Sequence, residues 1–219
     1  MTSNPLKVAE AFLTQVDEDW QRLVTAVGAC TLQTHPQRQP WEALVRAVAY
    51  QQLHARAGDA ILGRLLRQFP EQPFPQPAQL LALDDAALQA CGFSTSKRTT
   101  LRTIAAAALS GDIPSLEEAR AMQSEPLIQQ LTSLKGIGRW TVEMILMDCL
   151  ERMDIWPVSD YGVREGYRRL KQLPQPLTPR QLYPQGDNLS PWRSIAAWYL
   201  WRLPETGLFP AVAAGSKAL

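Results

Sequence analysis

The densest chemistry in the sequence lies in the run Leu134-Lys135-Gly136-Ile137-Gly138-Arg139-Trp140-Thr141. Two glycines flanking one apolar residue predict a turn whose dihedrals favour glycine at both positions. A tight turn that opens a helix leaves the first backbone N–H groups without intrahelical partners, a cradle for an anion such as a phosphate. Lys135 and Arg139 add positive charge beside it. A plain αα-hairpin connection carries the same pattern when taken alone. Basic residues also gather at 94–102 (Lys97, Arg98 and Arg102, with no acid) and at 161–171 (Arg164, Arg168, Arg169 and Lys171 against Glu165), while 110–125 is acidic (Asp112, Glu117, Glu118 and Glu125 against Arg120). Each cluster read singly is a solvated face; beside the glycine turn, the basic ones together point to a localised basic surface. Other reactive side chains are sparse. Two histidines (His35, His54) and three scattered cysteines (Cys30, Cys91, Cys149) make no transition-metal ligand set, no CxxC knuckle and no disulfide framework, a usage that fits a reducing compartment.

The elements that must position these residues read as helices almost throughout. The chain has 219 residues, 46% hydrophobic and 20% charged, with a net charge of +1. This balance excludes general disorder and a polybasic binder, and suffices for a sizeable core. No stretch approaches the length of a membrane span and the N-terminal residues lack a signal-peptide core, so a cytoplasmic protein is expected, nucleoid-associated if bacterial. Helical spacing predicts helices over 5–27, 41–53, 55–69, 94–108, 127–134, 139–150, 159–171, 178–183 and 191–202, with Asp84 and Asp85 capping a short one that ends at Gly92. No run alternates with period two, so the fold class is all-α. The proline-rich segment 70–79 reads as a loop crossing between two subdomains. Residues 1–204 form one two-lobed helical unit with a hairpin at about 132–150, and the Ala-rich tail, 205–219, is expected to be disordered, above all from Pro210 onward.

LKGIGRWTVEMIL (134–146) followed by PVSDYGVR (157–164) resembles the helix-hairpin-helix base-excision DNA glycosylases, and within them the bacterial and fungal 3-methyladenine DNA glycosylases of the alkylation-repair type. VRAVAYQQLHARAGDAIL (45–62), CGFSTSKRTTLRTIA (91–105) and SPWRSIAAWYLW (190–201) match in order, and the resemblance covers roughly residues 8–204. It implies a lesion cleft between two helical lobes, extrusion of a damaged nucleotide from double-stranded DNA, and hydrolysis of the N-glycosidic bond of alkylated purines such as 3-methyladenine and 7-methylguanine in base excision repair.

The resemblance also assigns residues. Asp160, 22 residues after Gly138, takes the place of the carboxylate that stabilises an oxocarbenium-like sugar. Asp148 and Asp154 are neighbouring carboxylates off that offset, and Ser159 stands where the family often has a second acid. Trp140 occupies the place where strand-cutting members keep a lysine nucleophile, which implies a monofunctional enzyme. Trp140, Trp192, Met144 and Tyr50 would line the base pocket, the tryptophans offering their faces to a cationic purine. Gln52, Leu53 and His54 fall where the family enters the minor groove, and Lys135, Gly136, Ile137, Gly138 and Arg139 where it grips the strand. The carbonyls of Thr132, Leu134 and Ile137 match those that bind Na+ or K+ at the hairpin. No other cofactor is implied, and three cysteines cannot build a four-Cys iron–sulfur cluster. A monomer acting on damaged double-stranded DNA is expected. Two other readings stay open: a non-catalytic hairpin protein that grips damaged or branched DNA, and a helical protein-interaction domain without nucleic acid.

Overall fold

Capping residues punctuate this chain at short intervals, and the computed structural model, which describes residues 4–207, follows them closely. Among the described residues there are thirteen α-helices and no strand. In chain order they are α1 (Pro5–Leu13), α2 (Glu18–Val27), α3 (Pro40–Tyr50), α4 (Ala55–Leu66), α5 (Pro77–Ala82), α6 (Asp85–Ala90) and α7 (Thr95–Ser110). There follow α8 (Leu116–Ala121), α9 (Ser124–Thr132), α10 (Arg139–Asp148), α11 (Tyr161–Leu170), α12 (Pro179–Leu182) and α13 (Arg193–Thr206), with a 3-10 turn at Tyr183–Leu189. The tail expected from Pro210 lies outside the described residues, and Glu205 and Thr206 close α13 instead of starting a tail.

The chain divides into two units, one of residues 1–34 with 152–219 and the other of residues 35–151. It passes between them at 34/35 and 151/152, so the proline-rich segment is no crossing: it lies inside the second unit, where Phe74 is buried and Pro77 opens α5. In the first unit the single helix expected over 5–27 is two. The Asp17 carboxylate caps the Trp20 N–H at 3.0 Å, which forces an extended residue at Asp17 and breaks the run. In this unit α13 packs on α1, α2 and α11 around Leu13, Trp20, Leu23, Val163, Leu170 and Tyr199. In the second unit α7 packs on α3, α5 and α6, and α10 on α3 and α9, over a core that includes Leu44, Val48, Leu101, Ile104, Leu131 and Leu146. Besides α5, a further helix there, α8, was absent from the sequence reading. Ser115 and Glu118 build a reciprocal capping box at its start, with bonds of 3.3 and 2.8 Å, and that S-x-x-E spacing was its visible signal.

The two basic clusters do not form the expected free surface. Lys97 Nζ donates to the Ala49 carbonyl at 3.1 Å, Arg98 to that of Phe93 at 3.0 Å, and Arg102 to those of Leu81 and Leu83 and to Asp85. In α11, Arg168 and Arg169 both clasp Glu165 at 2.8 Å, and Lys171 bridges Asp17 and Asp19 at 2.7 and 2.8 Å. These cations satisfy carbonyls beyond helix ends and pair carboxylates from neighbouring elements, uses that charge counting along a sequence does not separate from a solvent-facing patch.

Candidate functional site

The glycine turn joins α9 to α10, as its sequence predicts, but its two glycines are there for different reasons. Gly136 has φ +89°, and a Cβ built on it would lie 2.1 Å from Oγ1 of Thr100 on α7. The turn is thus pressed against α7 at a point where only glycine fits. Gly138 has an ordinary φ of −95° and open space around its Cβ position, so the expectation of a glycine-only dihedral there is corrected. It is the N-cap of α10 and, having no side chain, supplies no capping acceptor to the first-turn N–H groups. The turn is fixed by Ile137, whose side chain is buried and whose N–H donates to the Leu134 carbonyl at 3.1 Å. Thr132 ends α9, so its carbonyl has no intrahelical donor ahead of it, and the Leu134 carbonyl keeps a second lone pair.

Charge around the turn is unequal. Lys135 is exposed. Arg139 is committed: it holds Glu125 through two bonds of 2.9 and 2.8 Å and the buried Glu143 at 2.9 Å, and Glu125 first, with Glu143 behind it, raises its already high pKa. Trp140 is half-buried in the first turn of α10, one turn before Met144.

The α3–α4 connection belongs to the same unit and touches the turn. Gln51 caps the end of α3 and donates from Nε2 to Thr141 Oγ1 at 3.3 Å and to the Gly136 carbonyl at 3.5 Å. The sequence reading missed this residue. Gln52 follows in a left-handed conformation (φ +58°) at an exposed tip, an arrangement that costs a non-glycine residue on the order of 1 kcal/mol and clusters at functional loops. Leu53 beside it is 41% exposed. His54 is the N-cap of α4, its Nδ1 accepting the Ala57 N–H at 3.3 Å, which turns Nε2 into the ring's remaining donor. A pocket of about 220 Å³ lies between α3 and α10, lined by Arg38, Arg46, Tyr50, Met144, Ile145 and Asp148 among others. It brings together Tyr50 and Met144 of the expected set. The Tyr50 ring lies against Gly58, and its hydroxyl donates to Asp59 at 2.5 Å; that bond, with burial behind it, raises the phenol pKa.

Asp160 and Trp192 belong to the other unit. Asp160 is the N-cap of α11 and accepts the Val163 N–H on Oδ1 at 2.8 Å. The same oxygen accepts the indole N–H of Trp201 from α13 at 2.9 Å, a partner that the sequence reading did not single out. Trp192 is half-buried at the N-cap of α13, and the residues around it are anchored to the segment before α11: Arg193 grips Asp154 at 2.6 and 2.8 Å, and Ser194 donates to the Arg152 carbonyl. Burial alone would raise the Asp154 pKa, but Arg193 and Ser190 outweigh it and lower it. Asp148 is held by His35 Nδ1 at 2.6 Å and by Arg38 at 2.7 Å. Ser159 is exposed. Among the described residues no group of three His, Cys, Asp or Glu could hold a metal ion, and no helix is long and apolar enough to cross a membrane.

A family model described as HhH-GPD superfamily base excision DNA repair protein matches residues 45–188. The chain is 43% identical over 198 residues to a Schizosaccharomyces pombe protein named DNA-3-methyladenine glycosylase 1, covering 90% of this chain and 87% of that one. It is 36% identical over 200 residues to the alkylbase DNA glycosidase-like protein mag2 of the same yeast, covering 91% and 94%. A solved structure of the S. pombe 3-methyladenine DNA glycosylase in complex with abasic DNA matches with a TM-score of 0.86 at 41% identity, over 95% of this chain and 99% of that one.

Proposed function

The chain belongs to the HhH-GPD superfamily of base excision DNA repair proteins, and from that premise we propose that it is a monofunctional DNA glycosylase releasing alkylated purines, 3-methyladenine and 7-methylguanine, from double-stranded DNA. The observation that carries the reading is the pairing of an uncapped helix start at the glycine turn with Asp160, 22 residues further on, in a chain 43% identical to a named 3-methyladenine glycosylase. In this reading the first-turn N–H groups of α10 and the exposed Lys135 take a phosphate, which gives grip without base information. The carbonyls of Thr132, Leu134 and Ile137 would hold a monovalent cation that adds positive charge for the same phosphate. Gln52, Leu53 and His54 enter the minor groove and fill the stack that the extruded nucleotide leaves.

The chemistry asks little of an acid. Alkylation at N3 or N7 has already made the purine cationic, so the C1′–N bond breaks with its electron pair moving onto the base and cancelling that charge. The sugar becomes oxocarbenium-like, the Asp160 carboxylate stabilises it, and the oxygen of water adds to C1′ while its proton passes to solvent. Trp140 cannot form a Schiff base, so the product is an intact strand bearing an abasic site. Trp140 and Trp192, with Tyr50 and Met144, provide aromatic and soft apolar surface for a cationic purine.

The test is release of methylated bases from treated duplex DNA by the wild type and by Asp160→Asn. The variant should lose roughly a hundredfold in rate, about 2.7 kcal/mol of transition-state stabilisation, and keep its affinity for an abasic-site analogue. A second reading, a non-catalytic protein that grips damaged DNA, is favoured by Ser159 in place of a second acid. A wild type that binds abasic duplex but releases no base would establish it.

A further inference from the structure

Trp201 is the fourth aromatic of the run Trp192-Arg193-Ser194-Ile195-Ala196-Ala197-Trp198-Tyr199-Leu200-Trp201, and its indole N–H is directed at a single acceptor, Oδ1 of Asp160, at 2.9 Å. That reach is built into two helices. On α11 a Cβ added to Gly166 would lie 2.5 Å from the Leu200 carbonyl oxygen, and one added to Gly162 would lie 2.8 Å from Cδ1 of Trp201 and 3.1 Å from Asp160 Oδ1. The two glycines stand four residues apart, on one face of α11, and let α13 approach as closely as its backbone allows. A side chain at Gly162 would crowd both partners of this bond and force the indole or the carboxylate to shift.

The bond is also of a particular kind. An indole has one N–H and no acceptor, and Trp156 in the same unit spends its own on a backbone carbonyl, that of Leu182. Trp201 spends its N–H on a carboxylate. Val163 N–H meets the same Oδ1, so two neutral donors converge on one oxygen of the carboxyl group and fix its direction.

We infer that Trp201 is a positioning residue for Asp160, its indole N–H holding the carboxylate by Oδ1 in the direction that excision requires. The inference rests on the proposed role of Asp160.

Trp201→Phe removes the donor and keeps an aromatic ring. Single-turnover excision of 7-methylguanine should slow by about ten- to hundredfold, the range expected for losing a hydrogen bond to a charged group. Affinity for a duplex carrying an abasic analogue should stay within about twofold. In an Asp160→Asn background the same substitution should cost under about threefold more, since the two residues act as one. The 15N-labelled indole resonance that disappears in Trp201→Phe should also move in Asp160→Asn. Gly162→Ala reaches the same defect with the indole retained, which covers a Trp201 variant that folds poorly. Wild-type rates in Trp201→Phe, or an equal loss in both backgrounds, overturn the positioning role alone. A wild type that releases no base overturns the glycosylase reading and the positioning role with it.

Discussion

Replacing Gly136 by alanine tests the hairpin where its geometry is most exacting. Two costs are expected. Moving an L-residue to a φ of +89° costs about 1–2 kcal/mol. The new methyl would start 2.1 Å from Thr100 Oγ1 and 3.0 Å from its Cγ2, and relieving such an overlap between packed helices costs about 1–3 kcal/mol more. Together they make about 3 kcal/mol, or on the order of 10 °C in Tm for a chain of this size. Gly138→Ala, with an ordinary φ and open space, should fall within about 0.5 kcal/mol of wild type, a small cap loss offset by reduced chain entropy. Thr100→Ala separates the two costs. It removes Oγ1 and Cγ2 and leaves only the Cβ, at 3.1 Å, so in that background Gly136→Ala should cost little beyond the dihedral part, about 1–2 kcal/mol. Urea unfolding of the four proteins measures the cycle. Equal costs for the two glycines, or a Gly136→Ala cost unchanged by Thr100→Ala, would refute the account of the turn.

Acid should unfasten α11. The Glu165 carboxyl is held at about 2 against an ordinary 4.5, first by Arg168 and then by Arg169, so the folded state takes up its proton less readily than the unfolded chain. The stabilisation is therefore complete above pH 4.5 and lost as pH falls toward 2; Glu165→Gln should cost about 1 kcal/mol at pH 7 after solvent screening, and denaturation midpoints of the two proteins should converge in acid. The three thiols should be inert in the native protein: all are buried, burial is the first cause raising each, and Cys149 is pushed up to about 12. A thiol reagent should thus titrate them only after denaturant is added, and a fast native phase would contradict the packing around Cys149.

Local signals carried most of the fold. Asp84, Ser94 and Thr178 each cap the helix that follows, and proline opens α1, α3 and α12, so boundaries there were readable from residue type. What escaped depended on distant partners. The 5–27 run kept helical spacing through Thr14–Val16, and only the Asp17 side chain competing for the Trp20 N–H breaks it. Lys97, Arg98 and Arg102 read as a basic surface because nothing in their own segment reveals the carbonyls of Ala49, Phe93, Leu81 and Leu83. Gln51 was passed over for its neighbour Gln52, since its partners on the glycine turn lie 85 and 90 residues away in sequence. Trp201 stood inside a motif already noticed, but its bond to Asp160 depends on the spacing of two helices. Gly162-x-x-x-Gly166 was the signal that could have found it.

The choice among three aspartates shows how structure adds a reason to a spacing rule. Asp148, Asp154 and Asp160 all follow the glycine turn within 22 residues of Gly138, and offset alone ranked Asp160 first. Asp148 is spent on His35 and Arg38, and Asp154 on Arg193 and Ser190, so each anchors a loop with a charge that its partners offset. A carboxylate proposed to stabilise a developing cation must offer its charge to the substrate, not to a guanidinium already beside it, because a neutralised pair presents only a weak dipole to a third charge. Asp160 takes a peptide N–H and an indole N–H on one oxygen, two neutral donors that orient it. A residue can thus be a helix cap and the proposed charge stabiliser at once: the Val163 N–H that makes it a cap also helps to aim it.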